Sequence, residues 1–384
     1  MKVSKFNVLY DASWGSSGKG SAVTRLTDIF QCTDCSSNNF SNAGHTTIVN
    51  GEKCVVKAMP SQILLHKHQP KQPRTFYIGA NSGFFVEQLN KELEQASPNR
   101  DLKLIIHPRA VMMDDRHIQM ESPTGSRSTE HISSTMSGAG ASYSEKAMRS
   151  KDAVIVGNVV SSLSEYADIT VPETPYDFYK LVCGNVLRNT WIHEVSQGFA
   201  LSVNSGTHYP HCTFRECTPQ QAYADFNIKP DMVGDVYMNV RSFPIRVGNN
   251  YNNGEMVGYS GDFMDDQVEM TWEEIGKNAE MPESEISKLA ENERTTVTKK
   301  IRRVATQSPK LLAMASAMCG ATKAIYNFPQ YDHWSAYKVR GGFKEFRGLH
   351  SKVRKAVDLV EEASGIPVVM IGTGPDHEDF IYLG

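Results

Sequence analysis

Phe6-Asn7-Val8-Leu9-Tyr10-Asp11-Ala12-Ser13-Trp14-Gly15-Ser16-Ser17-Gly18-Lys19-Gly20-Ser21 runs from a short apolar stretch straight into a glycine-rich loop, and the architecture follows from that junction. The run from Phe6 to Tyr10 predicts a buried strand. After the loop, residues 22–30 carry Val23, Leu26 and Phe30 at helical spacing. Strand, glycine loop and helix in that order set a helix N-terminus against the loop. Exposed amide N–H groups and the positive end of the helix dipole converge there, which is the geometry that binds phosphate. Lys19 adds a point charge. The loop departs from the pattern G-x-x-x-x-G-K-[ST], because only Ser16 and Ser17 separate Gly15 from Gly18. Taken alone it is also compatible with a plain glycine turn.

Further apolar runs recur at residues 102–106, 153–156 and 368–371, and amphipathic helical patterns at 83–94, 175–187 and 349–363. This alternation predicts an α/β fold with a large, mainly parallel central sheet flanked by helices. A charged, helix-prone stretch at 281–294 precedes the cationic segment Lys299-Lys300-Ile301-Arg302-Arg303. Residues 124–144 are rich in Ser, Thr and Gly and are expected to form a long surface loop rather than core. Residues 247–266, with Asn249-Asn250-Tyr251-Asn252-Asn253-Gly254, are expected to be a mobile flap or a passive surface excursion. The chain, 1–384, reads as a single domain with excursions near 83–150 and 247–303, and shows no internal repeat.

With 384 residues of which 40% are hydrophobic, the chain can bury a sizeable core, which excludes a disordered tail protein. Lysines and arginines number 40 against 43 acids, so no global basic field exists for nucleic acid or an acidic membrane, and any nucleotide handled is small. Seven cysteines, an odd number, argue against a disulfide framework and for a reducing cytoplasm. The apolar run after Lys5 is too short for a signal-peptide core, and nowhere do roughly 18 apolar residues run uninterrupted. The expected location is cytoplasmic. Cys32 and Cys35 could be half of a zinc site, but no second cysteine pair lies at ribbon spacing. His208, His211, Cys212 and Cys217 crowd together without helix or knuckle spacing.

Further along the chain the loop acquires company. Trp14-Gly15-Ser16-Ser17-Gly18-Lys19-Gly20 is followed by Asn42-Ala43-Gly44-His45-Thr46, by Val49-Asn50-Gly51-Glu52 and by Pro60-Ser61. Residues 135–149, Gln197-Gly198, Gly206-Thr207, residues 295–303 and Gly374-Pro375-Asp376 continue the series. In this order, and spanning the chain, these motifs resemble the adenylosuccinate synthetases. The resemblance implies a ligase on a phosphate-loop α/β fold with small inserted subdomains. In that family a nucleoside triphosphate phosphorylates O6 of a purine monophosphate, and the amino group of L-aspartate then displaces the phosphate. A poor leaving group, hydroxide, is thereby made into a good one.

Residue by residue, the resemblance implies that Gly15, Ser16, Ser17, Gly18, Lys19, Gly20 and Ser21 hold the triphosphate, with Lys19 as the loop's cation. Gly44, His45, Thr46, Asn327, Gly374 and Pro375 complete the nucleotide site. His45 matches the acid that stabilises the transferring phosphoryl group. The Gly44 carbonyl and position 16 match the Mg²⁺ ligands. Ser16, Asn42, Thr135, Gln197 and Thr213 fall where the purine monophosphate is held, although one extra residue around His208 shifts the alignment at Thr213. Arg149 matches an arginine that reaches the 5′-phosphate in the neighbouring subunit of a homodimer, a task that suits the forked guanidinium. Thr298, Lys300 and Arg302 fall in the loop that holds the aspartate carboxylates, with Lys300 where the family usually has another arginine. A solvated basic face is the other reading of residues 299–303.

Two departures bear on the substrate. Directly after its first glycine the family's loop carries an aspartate that takes the N1 proton of inosinate and ligates Mg²⁺, whereas this chain has Ser16. A hydroxyl is too weakly acidic to be an ordinary base at neutral pH. The replacement removes a negative charge and opens space beside N1, where a guanine 2-amino group projects. The family also reads the guanine of GTP with an aspartate in a Thr-Lys-Leu-Asp segment. Near Ile325-Tyr326-Asn327-Phe328-Pro329-Gln330 no acid stands at the matching place, and Asp332 is displaced. Both departures resemble the phage branch of the family, which makes the succinyl precursor of 2-aminoadenine for phage DNA. The substrates this implies are dGMP and L-aspartate, with ATP or dATP as donor and Mg²⁺. Two alternatives stand beside it: an ordinary synthetase using IMP and GTP, and a catalytically silent nucleotide-binding protein. For the latter the missing carboxylate argues; the retention of Lys19, His45, Arg149 and Arg302 argues against it.

Overall fold

A computed structural model describes residues 5–69, 75–96, 102–158, 166–295 and 298–384. The main sheet has ten strands: β1 (Phe6–Asp11), β2 (Asp34–Ser37), β3 (Thr75–Ile78), β4 (Lys103–Ile106), β5 (Asp168–Thr170), β6 (Trp191–Glu194), β7 (Val233–Arg241), β8 (Lys323–Asn327), β9 (Val368–Gly372) and β10 (Phe380–Tyr382). Their spatial order is β10-β9-β8-β7-β1-β6-β2-β3-β4-β5. Every neighbouring pair is parallel except β9 with β10. The predicted mainly parallel sheet is therefore present, with β1 near its middle.

Successive residues of β1 point to opposite faces, as a strand requires. Phe6, Val8 and Tyr10 enter one core layer with Trp191, Phe178 and Phe226, and Leu9 enters the other with Val23, Leu26 and Phe76. Helix α1 (Lys19–Phe30) covers the second layer through Ala22, Val23 and Leu26. Helices Pro175–Val186, Pro309–Cys319 and Ser351–Ser364 cover the first through residues such as Val182, Leu312 and Val357. A third cluster gathers Ile245, Trp272, Ile275, Val304 and Tyr331 beside the small sheet formed by Ile245–Arg246, Arg303–Ala305 and Glu269–Met270. Among the described residues no helix is long and apolar enough to cross a membrane.

Three expectations need correction, and a fourth gains detail. The helix expected over 83–94 begins later, at Val86, because Gly83–Phe84 forms a short parallel strand with Val111–Met112. The run at 153–156 is not a strand of the sheet; it makes one isolated bridge, Val111 with Ile155, and then turns into a 3-10 helix at Val156–Asn158. The stretch 124–144 is not all loop: helix Ala139–Ala147 begins inside it, with Ala139 and Ala141 buried. The buried Glu121 carboxylate makes that helix possible, accepting the backbone N–H of Gly138 at 2.7 Å and of Ala141 at 2.9 Å at its positive end. Finally, residues 247–266 contain a hairpin, Asn250–Asn252 against Glu255–Gly258. Its turn, Asn253-Gly254, has φ 48° and 86°, the left-handed pair that tight hairpins prefer. The hairpin is tied to residues 130–131 by Asn250 Nδ2 donating to the Glu130 carbonyl and the Tyr259 N–H to the His131 carbonyl.

Candidate active site

The chain enters the glycine loop where β1 ends, at the carboxyl edge of the parallel strands, the edge at which open α/β sheets place their ligands. Gly15, Ser16 and Gly18 all take left-handed backbone, with φ 98°, 55° and 82°, and Gly18 caps the start of α1. A Cβ on Gly20 would lie 2.3 Å from the Thr46 carbonyl oxygen, so only glycine lets the loop close on the strand His45–Val49. The loop backbone is gripped from the neighbouring strands. Asn239 Nδ2 donates to the Ser17 carbonyl at 2.9 Å and hydroxyl at 2.8 Å, and Asn327 Nδ2 donates to Asn239 Oδ1 at 2.7 Å. Arg241 Nη1 donates to the Ser16 carbonyl at 2.7 Å.

Lys19 is buried, donates from Nζ to the Gln197 carbonyl at 2.5 Å, and lies 3.7 Å from Asp11 Oδ2. Asp11 accepts the Ser13 N–H and hydroxyl on Oδ1, while its buried Oδ2 has no hydrogen-bond partner. His45 is held by Glu194, with Nδ1 2.6 Å from Oε1, and Glu194 Oε2 accepts the Ser61 N–H at 3.2 Å. Burial drives the Glu194 carboxyl upward, but the adjoining His45, the Ser61 hydrogen bond and the charge of Lys19 outweigh it and hold the group at about 2. Glu194 is thus a carboxylate throughout the neutral range and fixes the imidazole orientation.

Lys19 and His45 open onto a cavity of 560 Å³, with Asp11 and Glu194 buried behind them. The loop residues Gly15, Ser16, Ser17, Gly18, Lys19, Gly20 and Ser21 border it, as do Asn42, Gly44, His45 and Thr46. Thr135, Gln197, Thr298, Arg302, Asn327, Gly374 and Pro375 border it as well, so most of the expected site residues meet in one place. Three are not among its lining. Thr213 stands behind Asn42, accepting from its Nδ2 at 3.4 Å. Lys300 is half-buried, its ammonium pKa lowered by burial, and its backbone pairs with Thr295, N–H to hydroxyl at 3.0 Å and carbonyl from N–H at 2.8 Å. Arg149 is exposed just beyond helix Ala139–Ala147 with φ 56°.

Also on the cavity, Arg302 Nη1 donates to Glu293 Oε2 at 3.0 Å, and its buried Nε has no partner. Glu293 Oε1 accepts Arg241 Nη2 at 2.6 Å and the Tyr331 hydroxyl at 2.5 Å. Burial raises the Glu293 carboxyl, but Arg241 and Arg302 more than offset it and the group stays below its ordinary range. The Arg241 guanidinium also lies 4.2 Å above the Phe328 ring. Non-glycine residues in left-handed backbone gather here, Ser16, Gln197 and Phe328 on the cavity and Lys299 beside Thr298, at a cost of about 1 kcal/mol each. Asp11, Glu194, Arg241 and Glu293 are functional candidates that the sequence reading missed.

Among the described residues no three His, Cys, Asp or Glu side chains assemble as a metal cluster. Cys32 and Cys35 are free and buried, and burial pushes the Cys32 thiol up to about 12. The Ser16 hydroxyl and Gly44 carbonyl are neutral oxygens on the cavity. Such a donor set fits Mg²⁺ arriving with substrate phosphates rather than an ion caged by protein carboxylates.

A family model described as adenylosuccinate synthetase matches residues 8–170. The N6-succino-2-amino-2′-deoxyadenylate synthase of Vibrio phage phiVC8 is 30% identical over 85% of this chain and 86% of its own length. That of Acinetobacter phage SH-Ab 15497 is 31% identical over 85% and 84%. An adenylosuccinate synthetase of Pyrococcus horikoshii is 28% identical over 97% of both. Among solved structures, the cyanophage S-2L succinoaminodeoxyadenylate synthetase PurZ, bound to dGMP and to dATP as an energy donor, superposes with a TM-score of 0.78 at 25% identity, covering 99% of this chain and 96% of that one.

Proposed function

Because the chain belongs to the adenylosuccinate synthetase family of C–N bond-forming ligases, we propose that it joins L-aspartate to C6 of dGMP, using ATP or dATP, to give N6-succino-2-amino-2′-deoxyadenylate. The observation that carries the choice of substrate is Ser16, a small neutral residue at the exposed position of a loop that keeps Lys19 and faces the same cavity as His45. The phage relatives with the same named activity support this reading.

In the first step O6 of dGMP attacks the γ-phosphorus of the donor, the nucleoside diphosphate leaves, and the N1 proton of the base passes to a water oriented by Ser16 or to a phosphate oxygen. In the second the amino group of L-aspartate attacks C6 and phosphate departs. The loop amides and Lys19 take the donor phosphates, where charge shifts from the γ-phosphoryl oxygens to the leaving diphosphate. His45, with Nδ1 held by Glu194 and Nε2 3.5 Å from the Ser196 hydroxyl, donates from Nε2 to the transferring group. Lys19 is fixed by the Gln197 carbonyl rather than by a flexible contact, so little reorganisation accompanies transfer. The Ser16 hydroxyl and Gly44 carbonyl would hold Mg²⁺, whose chemistry there would be to offset phosphate charge. Arg302 and Thr298 hold the aspartate carboxylates. Thr135 and Asn42, backed by Thr213, hold the monophosphate, and the exposed Arg149 reaches the 5′-phosphate of a partner subunit in a homodimer.

Purified protein presented with dGMP, GMP or IMP, each with ATP, dATP or GTP and with or without L-aspartate, tests the proposal by diphosphate and phosphate release and by product mass. Aspartate-dependent turnover of dGMP with an adenine triphosphate is expected. Preferred turnover of IMP with GTP would make the chain an ordinary synthetase, and nucleotide binding without any turnover would make it a silent binder.

A further inference from the structure

The carbonyl that fixes Lys19 is itself supported from outside the cavity. Lys19 Nζ donates to the Gln197 carbonyl, and Gln197 presents it from left-handed backbone with φ 64°. A non-glycine residue persists in that region only where its surroundings over-determine it. On one side the glycine loop pins the turn: a Cβ on Gly198 would lie 2.3 Å from the Ser13 carbonyl oxygen, and the Ala200 N–H donates to the same carbonyl at 3.0 Å. On the other side the Ser196 N–H donates at 3.0 Å to Oδ1 of Asn38, the residue just past the carboxyl end of β2. The Asn38 amide in turn donates from Nδ2 to Asp225 Oδ2 at 3.3 Å. Asn38, Ser196 and Asp225 are all buried. Asp225 belongs to the helix Pro219–Phe226, and its other oxygen accepts Asn81 Nδ2 and Gln221 Nε2, each at 2.7 Å. Every hydrogen bond that reaches this carboxylate thus treats it as an acceptor.

We propose that Asp225 and Asn38 are positioning residues for Lys19: Asp225 sets which way the Asn38 amide faces, and that amide fixes the peptide leading into the Gln197 carbonyl. The proposal rests on the reading of Lys19 as the cation on the donor phosphates. A carboxylate only accepts, whereas a carboxamide accepts at one end and donates at the other. The charge of Asp225 therefore draws the amine end of Asn38 and leaves its oxygen for the Ser196 N–H. With the amide reversed, an amine would stand against that N–H, and a buried donor without an acceptor is costly. The turn at Gln197 would then relax toward ordinary backbone and carry its carbonyl away from Lys19, and small displacements of a group that holds reacting phosphates are expensive in rate. Both residues act only through Ser196, Gln197 and Lys19, and neither lines the cavity.

The test uses Asp225→Asn, Asn38→Leu, and the exchanged pair that combines Asn38→Asp with Asp225→Asn. In Asp225→Asn the new amide keeps its oxygen on the Asn81 and Gln221 donors and so turns an amine toward Asn38, donor against donor. Asn38→Leu keeps the shape and offers Ser196 no acceptor. Each single variant is expected to lose about tenfold or more in kcat/KM for the donor, the order of one lost hydrogen bond, while KM for dGMP and for L-aspartate stays within about twofold of wild type. In the exchanged pair the carboxylate at 38 accepts both the Ser196 N–H and the amine at 225, and kcat/KM for the donor should return to within about threefold of wild type. A role in stability alone would lower Tm without that split between substrates. The Kd of adenylyl imidodiphosphate, or of its guanylyl counterpart if wild type prefers GTP, follows the hold of Lys19 independently of turnover; calorimetry should show it about fivefold weaker in the single variants and recovered in the pair. Single variants with an unchanged near-ultraviolet circular dichroism spectrum, and with donor kcat/KM and analogue Kd within about twofold of wild type, would overturn the assignment, as would a folded exchanged pair that recovers neither. Should Asp225→Asn not fold, Asn38→Leu decides by the same limits. A wild type without aspartate-dependent turnover sinks the functional reading itself, and the analogue Kd in the variants then still decides the positioning.

Discussion

Replacing Glu194 by Gln removes a charge while keeping the shape, and the structure fixes what should follow. Glu194 Oε1 lies 2.6 Å from His45 Nδ1, and both side chains are almost fully buried. The carboxyl is held at about 2 against an ordinary 4.5, although burial alone would raise it. At about 1.4 kcal/mol per pH unit, the net preference of this site for a carboxylate is on the order of 3 kcal/mol. If the same interaction supports a charge-donating imidazole as phosphoryl transfer proceeds, the Gln variant loses roughly a hundredfold in kcat. The KM for the donor should stay within a few-fold, because Lys19 and the loop amides are untouched. Steady-state diphosphate release with dGMP as acceptor measures both. A pH titration of stability gives a second readout. A depressed carboxyl contributes stability that is full above its unfolded value near 4.5 and is lost as pH falls toward 2, so Glu194→Gln should lose that acid-side slope. A variant with kcat within threefold of wild type, and a near-ultraviolet circular dichroism spectrum unchanged, would refute the assignment of Glu194 as the residue that positions His45.

Ser16→Asp should lower kcat/KM for dGMP at least tenfold, since it restores a charge and bulk beside N1; faster dGMP turnover in that variant would sink the steric account. Lys19→Ala and His45→Ala should each abolish phosphoryl transfer in a folded protein, and Lys19→Ala should also melt earlier because Asp11 loses its counter-charge 3.7 Å away. Gly20→Ala puts a methyl 2.3 Å from the Thr46 carbonyl, so a stability loss of about 1–3 kcal/mol and loss of donor binding are expected in calorimetry. Burial pushes the Asp332 carboxyl up to about 8, with its Tyr326 hydrogen bond opposing only in part. Native protein therefore holds a proton that unfolded chain releases, and stability falls as pH rises from about 4 toward 8. Asp332→Asn should flatten that fall and raise Tm at pH 8 by about 2 °C or more, and an unchanged Tm profile would contradict it.

What could be read in the sequence was what a contiguous stretch determines. The junction of β1, glycine loop and α1 announces itself because a strand period, a glycine pattern and a helix period follow one another within a few turns of chain. By contrast β2, Asp34-Cys35-Ser36-Ser37, carries no apolar signature although all four residues are buried. Its polar atoms are satisfied from afar: Asp34 accepts the Tyr77 hydroxyl 43 residues away, and the Ser36 hydroxyl accepts Trp191 Nε1 155 residues away. No local pattern can report such partners. The helix inside 124–144 escaped for the same reason, its cap being the side chain of Glu121 in the preceding helix.

Three of the four missed site residues share one physical cause, and it supplies a rule for reading them. Asp11, Glu194 and Arg241 are each the last residue of a parallel strand, as is Asn327, which the sequence reading did find. Interior residues of such strands face helices on both sides and must be apolar or internally paired. The last residue is the first that can face the crevice beyond the carboxyl edge. A charged or amide side chain that closes a buried run is therefore under two opposing demands, and it persists only where a ligand or a second charge meets it. Trp191-Ile192-His193-Glu194, just before Gln197-Gly198, fits that description from sequence alone. What the sequence could not supply was strand order. It is the adjacency of β6, β1, β7 and β8 that sets Glu194, Asp11, Arg241 and Asn327 along one edge, and that edge is where His45, the Lys19 amine and the Ser16 carbonyl find their partners.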